Sequence, residues 1–400
     1  MIKIFLALFI PAVLLIAAAF LHPELAKPSV AASVYTPLLP LIIGIPALVL
    51  CLRFNRSRYF FSLLSILLTY SLLKWVLVPG NTGLSRISYQ AIALLLPLNL
   101  LFFSLIRERG MLTLRGSGRY LLLLVQGLAV YFLYHFYPAT ITSAINIELF
   151  NIKTTSWTDI PQLALVTSLI VILILNGRLF STPSTTHAVA FGSLLGSLTM
   201  LQFHLDIAVV ISFATACSLM FVIAIIQESH RMAYMDQLTQ LPGRRALNEQ
   251  MLKLGNKYVI AMVDIDKFKK FNDKYGHDIG DQVLRMVASK LARTSSGGKA
   301  FRYGGEEFCI LFSGQDIKTV TPTLEILRET VANSSFDLRK QNRRQSDRKR
   351  KTKNKNNVQV TISIGVAQRN EKLNSSQSVI KAADKALYRA KQKGRNRVCK

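Results

Sequence analysis

Asp264 follows a short apolar run, Tyr258–Val263 (YVIAMV), and Glu306 and Glu307 follow the pair Gly304-Gly305. A strand end beside a hairpin is a compact way to gather carboxylate oxygens. Such hard ligands suit Mg²⁺, which takes one or two carboxylates and completes its shell with phosphates and water. The glycines permit a turn with positive φ and let a phosphate or base approach the backbone. Lys267, Lys269 and Lys270 lie close by in sequence and offer cationic donors to phosphate. The chemistry open to this set is metal-assisted phosphoryl transfer. The alternative is a set of solvated acids at strand ends.

The elements that must hold these residues alternate in type. A helix is expected after Pro242-Gly243, a strand over Tyr258–Val263, a helical turn over Lys267–Asn272 and a helix over Gly280–Arg293. Lys299–Arg302 and Phe308–Phe312 read as strands around the glycine turn. Thr321–Val331 reads as a helix, Val358–Ala367 (VQVTISIGVA) as one alternating strand and Ser376–Lys391 as the last helix. Mixed elements in a segment of this size predict a single α/β domain.

The rest of the 400-residue chain differs in kind. Residues 1–229 carry 13 Lys/Arg and 6 Asp/Glu, a net of +7, whereas residues 230–400 carry 36 and 16, a net of +20. Half of all residues are hydrophobic, and most of that excess lies in the first part. A wholly soluble protein, a disordered chain and a disulfide-stapled secreted domain are excluded. Cys51, Cys217, Cys309 and Cys399 are scattered, with no zinc spacing.

A membrane helix needs roughly 20 mostly apolar residues. Eight candidates run over Ile2–Leu21, Tyr35–Leu52, Tyr59–Val78, Tyr89–Ile106, Tyr120–Tyr137, Leu163–Phe180, His187–Phe203 and Ile207–Ile226. Asn176-Gly177-Arg178 cut the sixth short. The first reads as a retained helix rather than a signal peptide because its apolar stretch is long. Connections at 53–58, 107–119 and 176–186 hold eight arginines, whereas the alternate ones hold only Lys27, Arg86 and Lys153. The positive-inside rule then sets the N-terminus and residues 227–400 on the cytoplasmic side. Gly192 and Gly196 form a GxxxG that suits close helix packing, within the chain or between copies. The expected division is a multi-pass membrane module over 1–226, a helical linker over 227–235 (QESHRMAY contains no Gly or Pro) and a catalytic domain over 236–400.

Five ordered motifs in the second part resemble one family. Arg302–Phe308 (RYGGEEF) resembles the signature of the GGDEF family, the diguanylate cyclases. Asp236–Arg245 (DQLTQLPGRR), Asp264–Asp281 (DIDKFKKFNDKYGHDIGD), Thr361–Ala367 (TISIGVA) and Ala383–Asn396 (ADKALYRAKQKGRN) are similar to its other motifs. The resemblance implies a palm-like nucleotidyl cyclase fold, a central, mostly antiparallel sheet flanked by helices. It also implies the condensation of two GTP to cyclic di-GMP and two pyrophosphates across a homodimer, and that the membrane is a bacterial inner membrane. Carried over by position, Asp264, Glu306 and the Ile265 carbonyl would hold Mg²⁺ or Mn²⁺. Asn272 and Asp281 would read guanine; Lys269, Lys391 and Arg395 would meet phosphates. Gly304 and Gly305 would lie against the nucleotide, and Glu307 would assist as a further metal ligand or in deprotonating the 3′-hydroxyl. Asp266 and Asp273 read as capping residues, Tyr388 as core and His277 as structural.

Two departures stand out. Many members carry an inhibitory RxxD upstream of the signature; here the stretch is Ser295-Ser296-Gly297-Gly298, so no inhibitory site is expected. The run Arg339–Asn357 holds ten Lys/Arg, one Asp and no apolar residue. It reads either as a plain solvated loop or as one suited to anionic lipid rather than nucleic acid, since no aromatic residue is interleaved for base stacking. Two rival readings of the whole are a catalytically silent nucleotide receptor and a transporter with a regulatory GGDEF domain.

Overall fold

A computed structural model describes residues 2–25, 36–74, 83–111, 113–151, 157–337 and 357–400. Contacts divide the chain into two compact units, Met1–Ser229 and His230–Lys400. The basic run at 339–356 lies outside the described residues, as do Lys27, Lys153, Tyr35 and residues 75–78 of the third expected span.

The first unit is helical. Each of the eight expected spans falls on a helix, but six of the described helices are long and apolar enough to cross a membrane. The third is described as an α-helix over Ser57–Leu72, 16 residues, and the remainder of its expected span from residue 75 on lies outside the described residues. It is buried along most of its length, with Phe61, Leu63, Ile66 and Tyr70 in the core. The seventh, Thr185–Gln202, is diluted by Thr185, Thr186, His187, Ser193, Ser197 and Thr199. A short helix, Pro138–Ile145, stands where the sequence reading had only a loop. The last helix runs unbroken over Ile207–Tyr234. The GxxxG is used inside the chain. A Cβ on Gly192 would come within 2.6 Å of Pro11, and one on Gly196 within 2.7 Å of the Cys217 sulfur.

The second unit has a five-stranded mixed sheet. Its strands are β1 (Tyr258–Ile265), β2 (Lys299–Arg302), β3 (Glu307–Ser313), β6 (Ile362–Gln368) and β7 (Val398–Cys399), in the order β2-β3-β1-β6-β7. The central β1 pairs antiparallel with β3 and β6, and β6 pairs parallel with β7. The segment expected as one strand over Val358–Ala367 is two. Asn357–Gln359 (β5) pairs with Ser335–Asp337 (β4) in a separate ribbon. The break falls at Val360-Thr361, where the Thr361 carbonyl and hydroxyl bond Asp266 instead of continuing a ladder.

Period-two alternation sorts the core. Val259, Ala261, Val263 and Ile265 share one face with Phe308, Ile310 and Phe312, under the helices His277–Leu291 and Ile317–Ala332. Tyr258, Ile260 and Met262 share the other with Cys309 and Leu311, under Arg244–Leu252 and Ser376–Gln392. Burial in this second core pushes the Cys309 thiol up to about 12, so it behaves as an inert packing group.

Candidate active site

Strand register assembles the acids. Asp264 continues the row of Tyr258, Ile260 and Met262, and Glu307 continues the row of Cys309 and Leu311. The two stand directly opposite each other across β1 and β3. The Ser376–Gln392 helix covers that face with Ala383 and Leu387. Lys391, one helical turn further on, therefore reaches the same spot. Its Nζ lies 2.9 Å from Asp264 Oδ2. The Ile265 amide bonds the Glu306 carbonyl at 3.4 Å, which brings the turn against the end of β1.

This geometry crowds negative charge. Asp264 is only 4% exposed. Burial pushes its carboxyl above the usual range; Lys391 opposes the shift, and Glu307 and Asp266 add to it. Glu306 is raised by burial and by Asp264, with Lys391 opposing. Three acids thus share one ammonium, a state that a further cation relieves. Among the described residues no group of three or more His, Cys, Asp or Glu could hold a metal on its own. An all-oxygen set of this kind fits a divalent cation that draws its remaining ligands from nucleotide phosphates and water.

The glycine turn departs from expectation. The glycines with positive φ among the described residues are Gly276, Gly297, Gly314 and Gly394, and neither Gly304 nor Gly305 is among them. What the turn needs is room. A Cβ on Gly304 would stand 2.8 Å from the Glu307 carboxylate, whereas one on Gly305 would meet nothing within 4 Å. Tyr303 and Gly304 donate their amides to the Glu307 carbonyl at 2.9 and 3.1 Å, which closes the hairpin.

Asn272 sits on the helix Phe268–Tyr275. Its Oδ1 is buried without a hydrogen-bond partner, and a Cβ on Gly280 would come within 1.9 Å of it. Gly280 is therefore what lets the two helices approach, with Asp281 the next residue. A buried acceptor left open costs stability, about 1–3 kcal/mol, and suits a ligand that brings an N–H. Lys269 is exposed on the first turn of the Asn272 helix. Arg395, at φ +67°, follows the last helix and donates its amide to the Ala390 carbonyl. Asp264, Glu306, Glu307 and Lys391 are thus gathered at one point. Lys269 and Arg395 make no ion pair with the three acids among the described residues. Tyr388 is 62% exposed, not core as its apolar surroundings in sequence suggest, because it lies one helical step past the sheet-facing Leu387. His277 is exposed at the start of its helix.

Arg302 and Asp236 lie in the quoted motifs without a role read from sequence, and Asp266, expected as a capping residue, ties strands together. Arg302 donates to the carbonyls of Gly304 (3.2 Å) and Gly305 (2.8 Å) and to Asp236 Oδ1 (2.7 Å). Asp236 Oδ1 also receives the Thr239 amide and hydroxyl. Asp266 receives the hydroxyls of Thr361 and Ser363 and the Asn396 amide, so it ties β6 and the closing segment to the end of β1. Burial works against ionisation of Asp236, but the Thr239 and Arg302 hydrogen bonds prevail and hold its carboxyl below the usual range. Its contribution to stability is therefore full above the ordinary carboxylate pKa and is lost as pH falls through the lowered value. Asp236→Asn is expected to cost about 1–2 kcal/mol at neutral pH and progressively less in acid. Urea unfolding at both pH values checks this, and an equal deficit at both would contradict the assignment.

The sequence model of the family described as diguanylate cyclase, GGDEF domain, matches residues 233–397. Diguanylate cyclase A of Treponema denticola is 40% identical over 142 residues, 35% of this chain and 34% of that protein. Diguanylate cyclase VdcA of Vibrio cholerae is 34% identical over 170 residues, 42% of this chain and 46% of that protein. The chain thus spans less than half the length of these relatives. A crystal structure of the coiled coil and GGDEF domain of DgcB from Caulobacter crescentus, in complex with c-di-GMP, aligns at 35% identity with a TM-score of 0.38. The alignment covers 44% of this chain and 88% of that one.

Proposed function

We propose, on the premise that residues 233–397 are a GGDEF domain, that the chain is a membrane-anchored diguanylate cyclase. The observation that carries this reading is the register that sets buried Asp264 opposite Glu307, with Glu306 and Lys391 beside it. Six apolar helices, with Phe5, Phe20, Leu173 and other large side chains exposed on them, support the membrane part, since lipid covers such surfaces. The basic run at 339–357 would add contact with anionic lipid.

Each subunit of a homodimer would hold one GTP. In each of two transfers the 3′-oxygen of one GTP bonds to the α-phosphorus of the other. The α–β phosphoanhydride bond breaks, pyrophosphate leaves and the hydroxyl proton passes to a carboxylate or to water. Asp264, Glu306 and the Ile265 carbonyl would hold a divalent cation, Mg²⁺ or Mn²⁺, which when bound neutralises charge on the phosphates. Glu307 would take up the 3′-hydroxyl proton or support that cation. Lys391 neutralises Asp264 before substrate arrives and would turn to phosphate afterwards, joined by Lys269 and Arg395. Gly305 leaves open the space in which the nucleotide would lie. Asn272 Oδ1 would accept a guanine N–H and Asp281 a neighbouring one, which rejects adenine because its edge presents the opposite pattern.

Membranes containing the full chain, incubated with labelled GTP and Mg²⁺, should yield cyclic di-GMP. No product, either there or from residues 227–400 fused to a dimerising segment, would overturn the proposal. Asn272→Ala is expected to lower kcat/KM for GTP by roughly a hundredfold, with unfolding unchanged or improved because the open acceptor is gone. A drop of less than threefold would remove Asn272 from guanine recognition. The Ser295–Gly298 stretch holds no charged side chain, so added cyclic di-GMP should leave the initial rate unchanged; strong inhibition would reveal a different inhibitory site.

A further inference from the structure

The helices Ser57–Leu72, Gly83–Leu105 and Leu114–Phe136 enclose a cavity of about 280 Å³ with an open side. Its lining is apolar apart from Ser65, Thr69, Ser88, Asn99, Gln126 and Tyr131, and includes no charged side chain. Asn99 Nδ2 donates to Gln126 Oε1 at 2.8 Å, and Gln126 Nε2 donates to Asn99 Oδ1 at 3.0 Å. A primary amide has two N–H groups and two lone pairs, so this reciprocal pair uses half of each amide's capacity. Asn99 is 7% exposed and stands six residues before the helix end at Leu105, about 9 Å along the axis. The amide pair therefore lies toward the end of the cavity nearer the arginine-rich connections, with Leu123 about one turn beyond Gln126 on its helix, while Leu72, Leu84 and Tyr131 lie toward the other end. Gly127, one residue past Gln126, is part of the wall, and a Cβ built on it meets nothing within 4 Å.

Two plain roles compete for these features. An amide pair between helices serves as interhelical glue, and a glycine facing lipid needs no partner. Neither role calls for a cavity lined by both the amide pair and the glycine.

We infer that this cavity is a binding site for a neutral, lipid-soluble molecule carrying one hydroxyl or carbonyl group, which bonds the spare capacity of Asn99 and Gln126. The absence of charge in the lining excludes ionised head groups, because an unpaired ion there would lose its hydration without compensation. The size admits a short chain or a single ring rather than a phospholipid. The inference rests on the proposed membrane reading of the first unit. It gives that unit a ligand class, and the three helices that hold the ligand are the elements it would reposition.

The test uses the full chain in lipid nanodiscs and a photoreactive diazirine analogue of 1-decanol. Labelling within residues 83–136 should saturate and be competed by 1-decanol but not by decyltrimethylammonium. Gly127→Leu adds bulk to the cavity wall at a position where a Cβ meets nothing within 4 Å, and Asn99→Leu with Gln126→Leu removes the polar groups at similar volume. Each should weaken labelling at least about tenfold, the worth of one hydrogen bond or of lost access. Labelling that fails to saturate, or that persists unchanged in Gly127→Leu, would overturn the site. Because labelling is read independently of GTP turnover, saturable labelling with no effect of 1-decanol on cyclic di-GMP output would leave the site standing and remove its regulatory role.

Discussion

Glu306→Gln is expected to lower cyclic di-GMP synthesis by at least about a thousandfold, the scale of losing a group that organises charge at the reacting phosphate, while the protein stays folded. The fold disfavours the ionised form of Glu306, chiefly by burial and by Asp264. A carboxyl whose pKa is raised in the folded state adds no penalty below its unfolded pKa. It costs stability increasingly as pH rises and carries the full cost above its folded pKa. A neutral isostere removes that cost, so at neutral pH and without divalent cation the variant should unfold no earlier than the parent. Mg²⁺ added together with a non-hydrolysable GTP analogue should raise the Tm of the parent and raise that of Glu306→Gln much less. A variant that keeps synthesis within tenfold of the parent would exclude Glu306 from the site. Loss of activity together with a lowered Tm would instead indicate a structural role. Gly305→Ala provides a second separation of fold from function: its added methyl meets nothing in the free protein, so any loss of synthesis must come from space that the substrate needs.

Gly365→Ala should have the largest effect on stability of any single methyl added to the second unit. Gly365 lies in β6 opposite Met262, beneath the Ser376–Gln392 helix. A Cβ there would stand 2.0 Å from the Leu387 amide nitrogen and 2.2 Å from the Ala383 carbonyl oxygen. Both are backbone atoms of a helix interior and cannot swing aside as a side chain would. The helix would have to lift from the strand, taking Leu387 out of the core and Lys391 away from Asp264. A cost of about 4 kcal/mol or more is expected, a large part of the stability of a domain this size. Limited proteolysis of the full chain should show residues 230–400 degraded while the apolar helices of residues 1–229 persist. Gly255→Ala, where an added Cβ also meets nothing, should be close to neutral. A Gly365→Ala protein that resists protease as the parent does would mean that helix and strand are not so close.

Hydropathy and loop arginines show the division into an apolar and a basic part, and spacing places an acid at the end of β1 and two more after a glycine turn. Those are local properties, and the backbone follows them: β1 forms over the short apolar run, and β2 and β3 form around the glycine turn. The count of long apolar helices was less legible. Ser57–Leu72 is buried by its neighbours rather than exposed along an apolar face, and Thr185–Gln202 carries small polar residues while Gly192 and Gly196 seat it against Pro11 and Cys217. The single strand expected over Val358–Ala367 divides because Asp266, far away in sequence, captures Thr361 and Ser363.

The site follows the same division. Which residues could hold a cation or meet a phosphate was readable from residue type and order, because oxygen ligands and ammonium groups carry their chemistry with them. That Lys391 neutralises Asp264, that Arg302 holds the glycine turn to Asp236, and that Asn272 keeps an acceptor open beside Gly280 depended on strand register and helix packing. These contacts join residues 66 to 127 positions apart, or two helices across a glycine, and no periodicity along one segment encodes a distance across the sheet. Residue type and order set the inventory of reactive groups, whereas strand register and helix packing choose which of them meet.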